Sequence, residues 1–313
     1  MNPLSSIFGA VVGARNALYD RGVLRSRRLS SPVISIGNIS AGGTGKTPFT
    51  ISLGELLQKR GIEFDVLSRG YRRQSKGVLV VDPEGDVAMY GDEPVMIASR
   101  LGVPVVVGEE RFLAGRAAEE KFPGRLHLLD DGFQHRQLAR DFDIVLLAVG
   151  DEQDTLLPVG RLREPLASLS RADAVVIPEE MRCALPVEDG KVWRVRRRLV
   201  LPEPHLLHPV AFCGIAKPEP FFEQLQAQGV DAAAKIRFAD HHAFSLRDVA
   251  KLKKTAREYG ADGFICTEKD AVKLRDFSQL EPLAVARLAM EIIDGEAVVD
   301  QMLRRVQLCP KPA

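Results

Sequence analysis

The sequence predicts an α/β protein with a mostly parallel sheet and helices on both faces, followed by a smaller second α/β block. Three observations predict this class. Short apolar runs alternate with stretches of helical periodicity between residues 32 and 150. A glycine-rich turn joins the first apolar run to the first helical stretch. The same alternation returns after residue 206, beyond a stretch in which the pattern weakens.

Residues 1–30 combine an apolar helical face with a basic end. The apolar positions at helical spacing are Leu4, Phe8, Val11 and Leu18, and five arginines lie between residues 15 and 28 with Asp20 as the only acid among them. A secretory signal would have the opposite order. Two interpretations stay open: an interfacial helix on an anionic membrane surface, or a helix packed on its own domain with a solvated basic end.

Residues 35–48 have the pattern of a phosphate-binding loop between a buried strand, 32–36, and a helix, 49–60. Glycines allow backbone N–H groups to converge on an anion, and the helix start adds unpaired N–H groups. Lys46 would reach the β- and γ-phosphates, and the Thr47 hydroxyl would hold Mg²⁺. The predicted nucleotide-binding residues are Ser40, Ala41, Gly42, Gly43, Thr44, Gly45, Lys46 and Thr47.

The phosphate-loop pattern has one departure, because Ser40 stands where the consensus has its first glycine. The alternative is an ordinary tight turn between a strand and a helix. A dinucleotide site is disfavoured, since its third glycine would fall on Pro48. Spacing, the Lys-Thr pair and the flanking elements together favour nucleotide binding.

Composition excludes several other classes. The 313 residues carry a net charge of +1, so the overall charge does not indicate nucleic-acid binding. No apolar run is long enough to span a bilayer. Four cysteines without a C-x-x-C spacing predict neither a disulfide framework nor a zinc site, which fits a reducing cytosol. These cysteines are Cys183, Cys213, Cys266 and Cys309.

The first block contains six predicted strands and three predicted helices. Ligands bind at the carboxyl ends of strands in such sheets, so the loops after these strands are where binding groups are expected. The strands are 33–36, 64–67, 78–81, 103–107, 126–129 and 144–149, and the helices are 49–60, 93–101 and 111–121.

Asp130 and Asp131 end an apolar strand downstream of the phosphate loop. A carboxylate at this place is the expected partner of a phosphate loop, because it holds the Mg²⁺ shell. The alternative is an Asp-Gly turn that only ends the strand. The sequence favours the metal role and leaves open which acid performs it.

Asp92 and Glu93 open a predicted helix after a strand. Acids at a helix start usually cap it, so the residues alone favour capping over a role as general base. The basic residues in neighbouring loops would either bind phosphates or be solvated. They are Arg69, Arg72, Arg73 and Arg111.

The second half begins after a Pro- and Gly-rich loop, 157–165, and a strand, 174–177. Residues 192–200 alternate like a strand with one charged face and are interpreted as a connector. A histidine pair, His241-His242, ends one later strand; such pairs more often pack or cap than catalyse, although a strand end favours function. The remaining predicted strands are 210–215, 234–238 and 263–267, and the helices are 220–228, 246–259 and 297–306.

With these motifs in order, the sequence resembles the tetraacyldisaccharide 4'-kinase family, the lipid A 4'-kinases of Gram-negative bacteria. The similarity runs from the N-terminal segment to about Leu274, and the Ser40 departure belongs to the family pattern. The motifs are Gly37-Asn38-Ile39-Ser40-Ala41-Gly42-Gly43-Thr44-Gly45-Lys46-Thr47-Pro48, Ser68-Arg69-Gly70-Tyr71, Gly91-Asp92-Glu93-Pro94, Asp130-Asp131-Gly132-Phe133-Gln134-His135, Gly160-Arg161-Leu162-Arg163-Glu164-Pro165, Asp240-His241-His242 and Thr267-Glu268-Lys269-Asp270.

The resemblance implies transfer of the γ-phosphate of ATP, with Mg²⁺, to the 4'-hydroxyl of a tetraacylated glucosamine disaccharide 1-phosphate, giving lipid IVA. It also implies a peripheral, monotopic enzyme at the cytoplasmic face of the bacterial inner membrane, with P-loop NTPase-like architecture and a short β linker. Its expected partners are the lipid substrate and anionic lipid, with no nucleic acid and no protein partner. The predicted divisions are a membrane-associating segment 1–30, a catalytic domain 31–190, a linker 191–205 and a smaller α/β domain 206–313.

The resemblance also implies residue roles, and it reverses the capping interpretation of Asp92. Asp92 becomes the expected base, working with His241 or, less favoured, His242. Lys46 is expected to neutralise charge on the transferred phosphoryl group, and Arg111, with Arg163 as a second candidate, either to do the same or to hold the substrate 1-phosphate. The metal ligands are Thr47, Asp130 and Asp131, and the substrate contacts are Arg69, Tyr71, Glu93, Gln134, His135, Arg163 and Glu164.

Other classes fit the sequence less well. A nucleotide-driven switch or partitioning protein commonly has a second lysine before the paired glycines, where this chain has Ala41. A GTPase needs an N-K-x-D loop, which residues 267–270 match only in part. A soluble small-molecule kinase or ligase leaves the N-terminal segment without a membrane role.

Overall fold

The computed structural model describes residues 3–203, 205–275, 277 and 279–307, and the strands in this part of the chain form a single sheet. Cys309, one of the four cysteines, lies outside the described residues. The strands are β1 (Val33–Asn38), β2 (Phe64–Ser68), β3 (Leu79–Val80), β4 (Val105–Val107), β5 (Leu126–Asp130), β6 (Phe142–Leu146), β7 (Ala174–Pro178), β8 (Val192–Val200), β9 (Val210–Cys213), β10 (Ala234–Arg237), β11 (Phe264–Thr267) and β12 (Leu283–Ile292). Their order in the sheet is β10-β9-β11-β12-β8-β7-β6-β1-β5-β2-β4-β3.

The helices lie on both faces of this sheet. Along the described chain they are α1 (Pro3–Asp20), α2 (Lys46–Lys59), α3 (Val87–Tyr90), α4 (Asp92–Leu101), α5 (Arg111–Lys121), α6 (Glu219–Ala227), α7 (Leu246–Tyr259), α8 (Glu268–Ala271) and α9 (Gly295–Arg305), with short 3-10 turns at Asp151–Gln153, Leu166–Arg171 and Asp189–Lys191.

The centre of the first block is β1, which pairs in parallel with β5 on one side and β6 on the other. Every residue of β1 is buried, as expected for a strand covered on both faces. Ile34 and Ile36 pack in a core with residues of α2, α4 and α9, whereas Val33 packs in a separate core with residues of α5. The predicted class, a mostly parallel α/β sheet with helices on both faces, is confirmed.

The connection between the two blocks is an antiparallel pair formed by β8 and β12. The first part of β12 continues the small block, because residues 283–286 pair in parallel with β11. Its last residues pair with β8, which in turn pairs with β7 of the first block. The sequence predicts the charged strand 192–200, which is β8, but it does not predict β12. The Ala, Arg, Met and Glu residues of β12 favour a helix, and only pairing with β11 and β8 makes this segment a strand.

The C-terminal helix lies in a different core from the one its sequence position predicted. Val299, Met302 and Leu303 of α9 are buried in the same cluster as Phe49 and Leu53 of α2. The helix predicted within the 206–313 unit therefore packs on the first block, because β12 carries the chain back before α9 begins.

Several predicted strands differ in their bounds: those predicted at 103–107 and 210–215 span only Val105–Val107 and Val210–Cys213. The strand predicted at 78–81 is only the edge pair Leu79–Val80, antiparallel to β4. The strand predicted at 144–149 spans Phe142–Leu146, and the residues after it form a loop.

The N-terminal helix α1 lies on the surface of the first block. No residue of α1 is buried, and among the described residues no helix is both long and apolar enough to cross a membrane. One side of α1 contacts the loop at Leu156: Ser5 Oγ donates to its carbonyl oxygen at 2.8 Å, and a Cβ at Gly9 would lie 2.7 Å from its Cδ1. The outward side keeps a row of exposed apolar residues, Leu4, Ile7, Val11 and Leu18.

Candidate active site

The predicted phosphate loop follows β1 and leads directly into α2. Gly45 is the residue before α2 and has a left-handed φ of 89°. This φ favours glycine, and a Cβ there would also lie 2.7 Å from Met290 Cε of β12. The Asn38 side chain donates to Ser40 O at 2.7 Å and to Thr44 Oγ1 at 3.0 Å, which closes the loop from inside.

Ser40, the departure from the consensus, anchors the start of the loop. Its hydroxyl donates to Asp151 Oδ2 at 2.8 Å, and Asp151 is fully buried. The next residue, Ala41, donates its N–H to Arg161 O at 2.7 Å. A serine at this position therefore supplies a hydrogen bond that glycine could not, and the sequence analysis missed Asp151 because its partner is so distant in the chain.

Lys46, at the start of α2, points to the end of the neighbouring strand β5. Its Nζ lies 3.3 Å from Asp131 Oδ1, and Arg163 Nη1 lies 3.3 Å from Asp131 Oδ2. Burial acts to raise the pKa of Asp131, but Lys46 and Arg163 outweigh it and hold that pKa below its ordinary value. Asp131 is therefore an ionised carboxylate with a cation on each oxygen.

Asp130, the neighbour of Asp131, is in the opposite electrostatic situation. Burial, with Glu93 and Asp131 nearby, raises the pKa of Asp130 to about 7, although Lys46 and Ser68 act against the shift. Asp130 Oδ2 accepts from Ser68 Oγ at 3.1 Å, whereas Oδ1 is buried and has no hydrogen-bond partner. A buried carboxylate oxygen without a donor is suited to a bound cation.

Thr47 is buried in the first turn of α2, close in sequence to the lysine that contacts Asp131. Within the described ranges, no group of three or more His, Cys, Asp and Glu side chains is arranged to hold a metal. A Mg²⁺ ion near Thr47, Asp130 and Asp131 would therefore take its other ligands from water and phosphate, as this ion commonly does.

Arg111 is the first residue of α5 and is almost fully buried. Its Nη1 donates to Glu109 O at 2.8 Å, and burial and Arg69 lower its pKa although Asp131 and Asp130 act to raise it. Arg69 itself is exposed. These two arginines and the two acids thus lie close enough to affect one another.

His135 lies near the same basic side of the site. Burial and the nearby arginines, of which Arg111 contributes most, lower the pKa of His135 to about 4. Its imidazole is therefore neutral at physiological pH and can contact a substrate as a neutral donor or acceptor.

Asp92 begins α4 and meets a histidine from the second block. Its Oδ2 lies 2.8 Å from Nδ1 of His241, although 149 residues separate the two. Burial acts to raise the pKa of Asp92, but the hydrogen bond from His241 and the charge of Lys269 more than offset this and lower that pKa. Asp92 Oδ1 also accepts the Glu93 N–H at 3.0 Å, but the residue at the N-cap of α4 is Gly91 and no side chain caps this helix.

Tyr71 and Arg72 approach His241 from the loop after β2. The Tyr71 ring lies edge-on to the His241 ring with centroids 5.7 Å apart, and Arg72 Nη1 donates to Asp240 O at 3.1 Å. Tyr71 remains 58% exposed, so its ring is accessible to a ligand. Glu93 does not contact His241 but lies 3.5 Å from Lys269 Nζ, an ion pair that the sequence analysis did not predict.

His242 points away from this cluster. Its Nε2 lies 3.1 Å from Asp248 Oδ2, and its ring stacks on Phe238 with centroids 4.7 Å apart. The structure therefore brings His241, and not His242, to the Asp92 carboxylate. His241 has a left-handed φ of 60°, which turns the two adjacent side chains in different directions.

Gln134 and Glu164, predicted as substrate contacts, form a link between the loop and α1. Gln134 Nε2 donates to Asn38 O at 2.9 Å and to Glu164 Oε1 at 3.1 Å. Glu164 is 2% exposed and also accepts from Asn16 at 2.7 Å and from Arg171 at 2.9 Å. Its carboxylate is fully engaged by protein donors, so the structure assigns it a supporting contact.

Comparisons with known proteins agree on one family. The chain matches, over residues 1–307, a family model described as tetraacyldisaccharide-1-P 4'-kinase. A tetraacyldisaccharide 4'-kinase from Koribacter versatilis is 47% identical over 98% of this chain and 99% of the relative. One from Geobacter metallireducens is 37% identical, with 96% of each chain covered. A crystal structure of LpxK from Aquifex aeolicus in complex with ATP has a TM-score of 0.81 at 32% identity, covering 97% of this chain and 98% of that one.

Proposed function

The chain belongs to the tetraacyldisaccharide-1-P 4'-kinase family and is an ATP-dependent lipid A 4'-kinase, and we propose that Asp92 is the base of its reaction. The acceptor is the 4'-hydroxyl of an acylated glucosamine disaccharide 1-phosphate. One observation carries the proposal: the ionised Asp92 carboxylate is held by His241 at 2.8 Å. Glu93, the residue after Asp92, is close enough to Asp130 to raise the pKa of Asp130. Base, metal acids and phosphate loop thus share one edge of the sheet.

These groups account for the proton transfer, the bond formed and the bond broken in the chemical step. The 4'-hydroxyl proton passes to the Asp92 carboxylate as the 4'-oxygen forms a bond to the γ-phosphorus. The bond from that phosphorus to the β–γ bridging oxygen breaks, and ADP leaves with the electron pair. Lys46 stabilises charge on the transferred group, and Arg111 supplies a second cation near the same acids.

Mg²⁺ fits the residues beside the loop. The Asp130 oxygen without a partner, the ionised Asp131 and the Thr47 hydroxyl are all hard oxygen donors. A divalent cation would also relieve the repulsion between Asp130, Asp131 and Glu93. When bound with ATP, the ion neutralises charge on the triphosphate.

Transfer to the 4' position tests the proposal. Purified protein is incubated with detergent-dispersed disaccharide 1-phosphate and ATP labelled at the γ-phosphate, and the product is degraded to locate the label. Label at 4' is expected, and it should be lost in Lys46→Met. Lys254→Met is the matched control, because this lysine on α7 is 77% exposed and pairs only with Glu258 among the described contacts. Label at the 1-phosphate, or none, would contradict the proposed acceptor.

We further propose that α1 holds the enzyme on the cytoplasmic face of the inner membrane. The exposed apolar row on α1 is continued by Val23 and Leu24 and is flanked by two exposed arginines, Arg21 and Arg25. An apolar stripe beside positive charge suits an anionic lipid surface. The substrate's acyl chains lie in that surface, and Asn16 and Arg15 connect α1 to Glu164 and Gln134 beside the loop.

Flotation with vesicles of phosphatidylglycerol and phosphatidylethanolamine tests this membrane role. Deletion of residues 1–28 would also remove the Asn16 contact, so point variants on the outward side are sharper. Ile7→Ser, Val11→Ser and Leu18→Ser together should abolish flotation and leave the ATP affinity unchanged. The control is Leu207→Ser with Leu246→Ser, at positions 62% and 66% exposed in the second block. Equal flotation of both variants would refute the role of α1.

A further inference from the structure

The short helix α8 carries a charged residue to which the proposed reaction gives no role. Lys269 Nζ lies 3.1 Å from Nε2 of His241, the ring nitrogen that does not contact Asp92. The same Nζ lies 3.5 Å from a carboxylate oxygen of Glu93 and 3.5 Å from one of Asp240. Lys269 therefore stands between the dyad, defined as Asp92 and His241, and two further acids.

The two acids determine what kind of hydrogen bond Lys269 makes. Lys269 carries an ammonium group beside these two carboxylates, and an ammonium group has three donors and no acceptor. The contact with His241 can then form only if Nε2 offers a lone pair. The single hydrogen of the neutral ring is consequently on Nδ1.

That hydrogen points to the base. His241 Nδ1 lies 2.8 Å from Asp92 Oδ2, so Nδ1–H donates to an ionised carboxylate. We propose that Lys269 is a positioning residue for phosphoryl transfer, which keeps Nε2 of His241 unprotonated and thereby fixes the ring as a neutral donor to Asp92. The proposal rests on the proposed function, in which Asp92 accepts the substrate proton.

The doubly protonated form of His241 explains why Lys269 matters. Asp240 Oδ2 lies 3.8 Å from His241 Nε2, and without Lys269 this carboxylate would favour a proton on that nitrogen. An imidazolium would hold Asp92 in a full ion pair, which makes the carboxylate a weaker base. Lys269 counteracts Asp240 by placing a positive charge and a donor at the same nitrogen.

Lys269 is itself held by a rigid turn. Thr267 caps α8 by accepting the Asp270 N–H at 3.2 Å, and its hydroxyl donates to Asp270 Oδ2 at 2.7 Å. Asp270 is fully buried and also accepts the Gly214 N–H at 2.9 Å. The motif at residues 267–270, which matched a guanine-reading loop only in part, thus aims its lysine at the dyad.

The dyad has several charged or titratable neighbours, and any pH effect must be assigned among them. Burial acts to raise the pKa of Asp92, and His241, Lys269 and Lys273 together lower it. Of the described residues, only Lys269 donates to His241 Nε2. The groups that face the dyad are Glu93 from α4, Tyr71 and Arg72 from the loop after β2, Asp240 from the loop after β10, and Lys269 and Lys273 from α8 and the turn after it.

Nitrogen NMR of the whole protein labelled with ¹⁵N-histidine tests the proposal without using activity. His241→Asn identifies the His241 signals among the six histidines. At pH 7, Nε2 of His241 is expected at the shift of an unprotonated nitrogen and Nδ1 at that of a protonated one. Lys269→Met should move the Nε2 signal towards the protonated position, whereas Lys269→Arg and the control Lys254→Met should not. A protonated Nε2 in the wild type, or an unchanged signal in Lys269→Met, overturns the proposal.

Kinetics give a second measurement that a merely structural lysine would not affect. Lys269→Met should lower kcat by about 3- to 30-fold, less than the ~10²–10⁴ expected for the base itself, with KM for ATP unchanged. Its kcat/KM profile should lose activity on the acid side at a higher pH than the wild type, because without Lys269 a second proton on the His241 ring would hold Asp92 in a full ion pair and weaken it as a base. Lys269→Arg should restore both. A proportional fall at every pH would contradict the positioning role.

Different results would contradict the assignment of Asp92 as the base and the assignment of Lys269 as a positioning residue. If Asp92→Asn retains normal kcat, the base assignment is wrong, whatever the state of His241. If Asp92→Asn is inactive but the His241 signals do not respond to Lys269→Met, the base stands and only the role of Lys269 is overturned. Should Lys269→Met not fold, the wild-type NMR shifts still decide the proposal.

Discussion

The phosphate-loop region and the dyad region are assembled in different ways. The phosphate-loop region consists of residues 38–47 with Asp131 and Arg163, all from the first block, and Lys46 meets Asp131 at the end of an adjacent parallel strand. The dyad region, Asp92 with His241 and Lys269, joins α4 of the first block to two loops of the second.

This difference separates two tasks of a kinase. In the proposed mechanism, holding the triphosphate depends on a local turn that one block supplies, whereas deprotonating the acceptor depends on contact between the blocks. The two regions are linked electrostatically, because Glu93, next to Asp92, acts to raise the pKa of Asp130, next to Asp131. We therefore expect substitutions in the phosphate-loop region to act mainly on ATP binding, and substitutions in the dyad region to act mainly on kcat.

The largest expected effect is on the base. Asp92→Asn should lower kcat by about 10²- to 10⁴-fold, because the hydroxyl loses its proton acceptor, while the Kd for ATP changes by less than about 2-fold. Single-turnover kinetics and calorimetry measure the two quantities. Lys46→Met is the counterpart and should weaken ATP binding as well. A near-normal kcat in Asp92→Asn would leave this residue only a structural role, through its contacts with His241 and the Glu93 N–H.

The next effect is on the phosphate loop. Gly45→Ala should weaken ATP binding by about 10- to 100-fold, because a Cβ at this left-handed φ strains the loop and also crowds the side chains of Met290 and Arg197. Gly102→Ala is the control, since Gly102 has a similarly left-handed φ of 63° but open space around it. That variant should lose stability only, by about 1 kcal/mol. Equal ATP affinities for the two variants would show that the Met290 contact is unimportant.

A smaller effect distinguishes the two histidines. His241→Gln should lower kcat by about 10- to 100-fold, because Asp92 loses its oriented donor. His242→Gln should act mainly on the free energy of unfolding, by about 1 kcal/mol, through its contacts with Asp248 and Phe238. Steady-state kinetics and urea unfolding separate these outcomes. The reverse ranking of kcat would mean that His242 serves the dyad.

The smallest effect is on pH-dependent stability. Because the pKa of Asp92 is lower in the folded protein than its ordinary 3.8, its ionisation stabilises the fold above about pH 4, and this is lost as pH falls through the folded pKa. Asp92→Asn should lower the free energy of unfolding by about 1–2 kcal/mol at pH 7, and by less below pH 4. Asp231→Asn, at a side chain 93% exposed, is the control. A difference that is constant with pH would contradict the ionised contact.

Much of the phosphate-loop region could be predicted from the sequence. Its glycines, Lys46 and Thr47 are contiguous, and the acids Asp130 and Asp131 follow an apolar strand whose position beside β1 obeys the rules of parallel sheets. The anchoring of Ser40 by Asp151 could not be predicted in this way, because the two residues are distant in the chain and no local pattern joins them.

The contacts of the dyad region could be predicted from the sequence only in part. Family resemblance suggested Asp92 and a histidine, but the choice of His241 depends on the left-handed backbone at that residue and on the stacking of His242 against Phe238. The contact of Lys269 with His241 depends on a turn anchored by a buried Asp270. The choice of His241 and the contact of Lys269 with His241 are both consequences of tertiary packing.

By itself the sequence determined the alternation of strands and helices, the phosphate loop and the acids that follow it, because short-range periodicity and contiguous backbone geometry encode them. Only the tertiary structure decided that β12 is a strand, that α9 packs on the first block, and that Lys269 and His241 meet Asp92. The reason is physical: these contacts join residues far apart in the chain, and pairing and burial at such distances override local propensity.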